Sequence, residues 1–259
     1  MRNIKPAEFC YSLHMDENIA FNTSVDTSVG IGLVEGDPRE APLLSSVAFC
    51  PVYIFRDPGA MFDAMEDHMI DAAVRGSLPS DEFLRELENR RHGVRRRRIA
   101  VMVLEGGKPF LLGPVGIDEG GTMREMGRLV GDMRDFCDLL GWEPRIAVLS
   151  AGRPGDAARS GSIASSIRRG EVTAERYGVW HYNIMIEEAM EWANCVIAPD
   201  GVSGNLVYRT LSHLGGAVSL GALYFPLQLK LADTSRNGAI DEYVGAIALA
   251  NLAASGRYG

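Results

Sequence analysis

The sequence has none of the short signatures that fix a chemistry by themselves. Its four cysteines, Cys10, Cys50, Cys137 and Cys195, form no CxxC pair, which excludes a zinc knuckle or a disulfide framework and leaves reduced thiols. Cys137 and Cys195 stand in apolar patterns, where a cysteine behaves as a small buried hydrophobe. The five histidines, His14, His68, His92, His181 and His213, make no HExxH or other metal-ligand spacing, so no metal is expected. His68, beside Glu66, Asp67 and Asp71, reads as helix surface. Without a GxSxG elbow the serine-hydrolase reading has no support, and without a GxGxxG after a strand the dinucleotide fingerprint is missing. Long apolar runs are missing too: residues 215–229 are broken by glycine and proline, so no membrane span is expected. Residues 1–21 lack the apolar stretch of a signal peptide, and the expected location is the cytoplasm. Positive charge is in deficit, with 26 Lys and Arg against 34 Asp and Glu and a formal net charge of −8. An acidic surface is poorly matched to a nucleic-acid backbone. There is no internal repeat and no low-complexity linker.

What is present is a chain of 259 residues, 46% of them hydrophobic, long enough to bury a large core in one or two domains. Short apolar runs alternate with amphipathic stretches, the pattern of parallel strands joined by helices. Strands are expected at 29–34, 47–55, 99–104, 110–115, 146–149, 195–198 and 217–223, several of them apolar on both faces. Helices are expected at 59–74, 80–91, 122–140, 184–192, 205–214 and 241–253. Ser80 is placed to cap the second, with Asp81 and Glu82 in its first turn, and Gly141 to close the third. Residues 105–108, Glu-Gly-Gly-Lys, read as a tight hairpin turn. The expected architecture is a three-layer α/β fold with a mostly parallel sheet and two subdomains around a cleft. One comprises residues 1–118 with 233–259, the other 119–232, the boundary falling at the GIDEGG of 116–121 and the last helix packing back on the N-terminal half.

Four segments carry candidate chemistry. In the first, a buried strand empties at Ser150 and Gly152 into a glycine- and serine-rich stretch, 160–166. Ligands of open α/β sheets sit at such strand ends, and loop amides with Arg153 can cradle an anion; the alternative is a flexible surface loop. In the second, a strand ends at Asp200 and Gly201 and passes into a helix at Gly204 and Asn205. Here the glycines permit close backbone approach and Asn205 is placed to cap, the alternative being an ordinary strand-to-helix turn. The third is Asp233-Thr234-Ser235-Arg236, followed by Asp241 and Glu242. A guanidinium fork beside two hydroxyls suits phosphate, and the carboxylates serve either as a base or as first-turn charges of a helix. The fourth, Arg75-Gly76-Ser77, offers a second arginine and hydroxyl, whereas Arg85 on the next helix reads as a solvated charge. The basic run Arg95–Arg98 with Arg90, Arg91 and His92 either reaches a ligand or an acidic partner, or is a solvated connection.

In order, GWEPRIAVLSAG (141–152), WANCVIAPDGVSGNLVYRTLSHLGGA (192–217) and ADTSRNGAIDEYV (232–244) resemble the phosphate acetyl/butyryl transferase superfamily, whose fold is shared with isocitrate dehydrogenase-like enzymes. DAAVRGSLPSDEFLREL (71–87) is similar to another of its segments. Within the superfamily, VGIGLVEGD (29–37), AVRGSLPSDEFLREL (73–87) and GPVGIDEGG (113–121) resemble the MtxX-type methanogenesis marker family of archaea, loosely termed methyltransferase-related. The resemblance implies a phosphate-bearing ligand, an acyl phosphate or coenzyme A, the latter as substrate and not as a covalently bound cofactor. It implies that Ser235 and Arg236 bind phosphate or coenzyme A, that an acidic residue, Glu242 or its neighbour Asp241, assists the thiol, and that Arg85 matches a helix arginine of the family. Two departures stand out: Asn237 replaces the family's glycine, and Glu242 its aspartate. The implied assembly is a homodimer. A second reading is an inactive or methyltransferase-associated subunit that serves a methanogenesis enzyme. A third, a nicotinamide-linked dehydrogenase, needs a metal-binding aspartate set that cannot be assembled from this sequence.

Overall fold

The computed structural model describes residues 7–12 and 18–256; His14 and most of the stretch read against a signal peptide lie outside the described residues. The chain divides into two compact units, residues 1–96 with 219–259 and residues 97–218. Relative to the expected division, residues 97–118 group with the central segment and 219–232 with the outer one.

In the discontinuous unit, strands β3 (Val29–Gly32), β4 (Val52–Phe55), β5 (Ala72–Val74) and β12 (Leu231–Asp233) run parallel in the order β4-β3-β5-β12, and β11 (Val218–Phe225) joins β12 antiparallel. A separate antiparallel hairpin is formed by β1 (Ala7–Ser12) and β2 (Asn18–Thr23). The returning helix α8 (Ile240–Ala254) packs on β2, β3, β5 and β12 and is buried from Glu242 to Ala253. Asn251 ties it to the N-terminal half by donating to the carbonyls of Ser24 and Thr27 at 2.9 Å each. Helices α2 (Pro58–Glu66) and α3 (Ser80–Arg90) close a cluster of Met61, Phe62, Ile70, Phe83, Leu87 and Tyr224.

The continuous unit orders its strands β6-β7-β10-β8-β9: β6 (Arg97–Val103) and β7 (Pro109–Gly113) form the expected hairpin, and β7, β10 (Cys195–Ile197), β8 (Ile146–Val148) and β9 (Trp180–His181) are parallel. Around them lie α4 (Met123–Leu140), α5 (Gly161–Tyr177), α6 (Ile186–Trp192) and α7 (Gly201–His213). Gly141 ends α4 at φ 69°, the left-handed value that a glycine reaches without strain.

Several local expectations change. The helix expected at 59–74 stops at Glu66, because 72–74 is a wholly buried strand. The strand expected at 47–55 is confined to β4, with α1 (Glu40–Ser46) before it. The glycine- and serine-rich stretch of 160–166 is not a loop: it is the cap and first turns of α5, where the Ser160 side chain accepts from the Ile163 amide. Its polar residues hid a buried face of Ser166, Ile167, Gly170 and Thr173 at helical spacing. Helix α7 begins at Gly201 and is capped by Asp200, not Asn205. Pro79, not Ser80, holds the cap position of α3, without a side-chain bond.

Candidate functional site

The parallel strands β3, β5 and β12 deliver three loops to one sheet edge: 33–39, 75–79 and 234–239. Arg75 is buried beneath them. Its Nε donates to Asp233 at 2.5 Å, one terminal nitrogen to the Leu78 carbonyl at 2.7 Å and the other to the Thr234 carbonyl. Tyr224 donates to the second Asp233 oxygen at 3.2 Å. Thr234 returns a bond from its hydroxyl to the Gly76 carbonyl at 3.0 Å. Gly76 has φ 62°, and a side chain there would meet the Gly32 carbonyl 1.9 Å away, so only glycine fits. Ser77, also buried, accepts from the Val34 amide at 3.0 Å and bonds the Asp37 carboxylate.

Arg39, which the sequence did not single out, is the clasp. Its Nε and one Nη hold the Asp37 carboxylate bidentately at 2.8 Å each, and its other Nη donates to the carbonyls of Arg236 at 2.9 Å and Gly238 at 3.1 Å. The guanidinium lies 4.2 Å over the Tyr243 ring, a cation–π contact. Hydrogen bonds from Arg39 hold the Asp37 carboxyl at about 2, against the cost of burial. The motif GDPR of 36–39 was a signal in hand: a carboxylate two residues before an arginine in a loop at a strand's carboxyl end.

The same loop is pinned from the helix side. Glu242, buried, accepts from the Ser235 amide at 2.5 Å, and a side chain on Gly238 would fall 2.2 Å from its second oxygen. With Arg39 paired to Asp37 and Arg75 to Asp233, the polar groups left accessible in this segment are the half-buried Ser235 and Asp241 and the exposed Arg236 and Asn237. Arg85 is exposed on α3 and makes none of these contacts.

The remaining nominated residues belong to the continuous unit. Adjacent parallel strands β8 and β10 bring the Ser150 and Asp200 turns to one edge. Ser150 is buried, its hydroxyl 2.9 Å from His181 Nε2 and 3.0 Å from the Gly152 carbonyl. Burial holds the His181 pKa below its usual value, and Gly170 leaves room for that ring. Gly201 and Gly204 have a steric role: a side chain on either would stand 1.7 Å from the Gly116 carbonyl or 1.9 Å from that of Pro114. Asn205 donates to the Val115 carbonyl at 2.7 Å. The arginine run is partly internal, not a solvated connection throughout. Arg97 pairs bidentately with buried Asp132, and Arg98 donates to Glu119 from its amide and its Nε at 2.7 Å each. Burial raises the pKa of both carboxyls, and the arginines oppose that rise. Among the described residues no three or more His, Cys, Asp or Glu gather as a metal site, and no helix is long and apolar enough to cross a membrane.

No family model matches the chain. Its fold is that of the phosphotransacylases: a branched-chain phosphotransacylase from Enterococcus faecalis V583 superimposes with a TM-score of 0.67 over 88% of this chain and 99% of that one, at 15% identity. The sequence is 37% identical over 181 residues to a Methanosarcina barkeri protein named provisionally as methyltransferase mtx subunit X, 68% of this chain and 67% of that one. It is 31% identical over 207 residues to an uncharacterized methyltransferase of Methanocaldococcus jannaschii, 76% of this chain and 84% of that one. The chain belongs to the mtx subunit X family, and it spans about two thirds of the length of the Methanosarcina relatives.

Proposed function

We propose that the turn between β12 and α8 binds a phosphate-bearing ligand, an acyl phosphate or coenzyme A, and that the protein transfers an acyl group. The observation that carries this reading is the division of labour in the turn. Arg39, Glu242 and Thr234 hold its backbone from behind, while the Arg236 guanidinium and Ser235 hydroxyl have no partner within the protein among the described residues. A rigid loop presenting one uncommitted guanidinium and one hydroxyl is pre-organised for a phosphoryl group. In the transfer step Arg236 and Ser235 neutralise the departing phosphate, so catalysis is chiefly positioning and charge stabilisation. A carboxylate at 241 or 242 takes the thiol proton, the sulfur attacks the acyl carbon, and the acyl–oxygen bond breaks toward phosphate. Asp241 is the more accessible of the two, since Glu242 already serves the Ser235 amide.

Calorimetry with coenzyme A, acetyl phosphate and inorganic phosphate on the natural chain and Arg236→Ala tests the reading. Binding by the natural chain that weakens in the variant is expected; equal binding in both, or none in either, removes it. A second reading, a methyltransferase-associated subunit without acyl transfer, is favoured by the internal use of Arg75 and Glu242 and by the subunit names of the relatives. Turnover of acetyl phosphate with coenzyme A separates the two.

A further inference from the structure

We propose that the aromatic and acidic face formed by β9 and α6 is a docking surface for a partner protein that presents clustered arginine or lysine beside aliphatic side chains. Trp180, 63% exposed on the edge strand β9, and Trp192, 39% exposed at the end of α6, meet edge to face with ring centroids 6.0 Å apart. Ile184, in the connection between those elements, is 53% exposed. Two tryptophans in mutual contact and partly exposed, with an exposed isoleucine in the connection between their elements, sacrifice apolar burial, and exposed apolar surface of this kind marks interaction sites. Tryptophan is also the residue type that most often anchors an interface.

The charge on α6 selects the occupant. Glu187, Glu188 and Glu191 are all exposed, and none has an ion-pair or hydrogen-bond partner within the protein among the described residues. Helix spacing sets Glu188 one turn from Trp192 and Glu187 one turn from Glu191, so two like charges repel along the same face. Glu191 also sits near the helix carboxyl end, where negative charge is unfavourable. The neighbouring cation, half-buried Arg145, spends its Nε on the Trp192 carbonyl at 2.7 Å. Glu187 and Glu188 sit in the first turn, where the helix dipole favours them, whereas Glu191 costs the free helix stability and gains it when a cation arrives; a guanidinium can pair with these carboxylates while stacking on an indole face. Nucleic acid is excluded by the sign of the charge. A symmetric pairing of two such faces would set carboxylates against carboxylates.

The test uses the full chain expressed in a Methanosarcina host with a photo-cross-linking amino acid in place of Ile184. The expected product is one protein whose linked segment carries two or more Arg or Lys within about two helical turns. Its yield is expected to fall roughly tenfold or more in Trp180→Ala and in the double variant Glu188→Lys/Glu191→Lys, with circular dichroism showing both variants folded. A product with a second copy of this chain, a linked segment without basic residues, an unchanged yield in folded variants, or no product overturns the proposal. Ligand calorimetry on the same variants reads the β12–α8 turn separately, so either idea can fail without the other.

Discussion

Arg75, Arg39 and Arg236 are chemically the same side chain in three different employments, and partners distant in sequence decide which. Arg75 meets Asp233, 158 residues away, and is sealed beneath the loops. Truncating it leaves a buried carboxylate, so Arg75→Met is expected to cost about 3–5 kcal/mol, read by chemical denaturation. Arg39→Gln keeps the fold and frees the Arg236 and Gly238 carbonyls. Faster hydrogen exchange at the amides of 235–238 is the expected result, and it needs no ligand. Because the Asp37 carboxyl sits near 2 in the folded protein and near 3.8 when free, its contribution to stability is complete above about pH 4 and fades as pH falls toward 2. Thermal unfolding of the natural chain should therefore steepen in its pH dependence over that window relative to Asp37→Asn. The sequence suggested phosphate for Arg75 and Arg236 alike, because each stands beside hydroxyls. Nothing local distinguishes a guanidinium with a distant buried partner from one facing water.

At the scale of elements, the more apolar strands and the amphipathic helices were legible, whereas β5 and β12, the strands that lead into the candidate site, were not. Strands covered on both faces are continuous apolar runs, and β6, β7, β8 and β10 stand close to where those runs fall. Helix α5, opened by glycine and serine, was not legible. The opening of α5 holds one glycine and three serines in six residues, which compete with or weaken helix formation, and tertiary packing against His181 and the Ser150 turn supplies what propensity lacks. The glycines of α7 carry the same lesson in reverse. They read as ligand-approach residues, yet they let the helix lie against the backbone carbonyls of 114–119. Gly204→Ala is expected to lower stability by about 1–3 kcal/mol through overpacking, and Gly201→Ala by a similar amount. Calorimetric melting checks both, and ligand affinity per folded molecule should not change.

For the whole molecule, the discontinuous unit depends on α8 returning to the N-terminal half, and the apolar run of 243–253 made that return legible. The reduced-thiol reading has a direct consequence. Cys137 and Cys195 lie with sulfurs 3.3 Å apart and are fully buried; their mutual hydrogen bond, then burial, raises the pKa of Cys195. Burial pushes Cys50 up to about 12. Iodoacetamide should leave these three thiols unmodified in the native protein and alkylate them in guanidinium chloride, as mass spectrometry would read. The functional claim rests on something smaller, the outward face of one turn. A crystal soaked with acetyl phosphate measures it most directly: the account predicts a phosphoryl group within hydrogen-bonding distance of the Arg236 guanidinium and the Ser235 hydroxyl, with the Arg39 clasp unchanged. Density for the ligand elsewhere, with Arg236 still free in solvent, would contradict it.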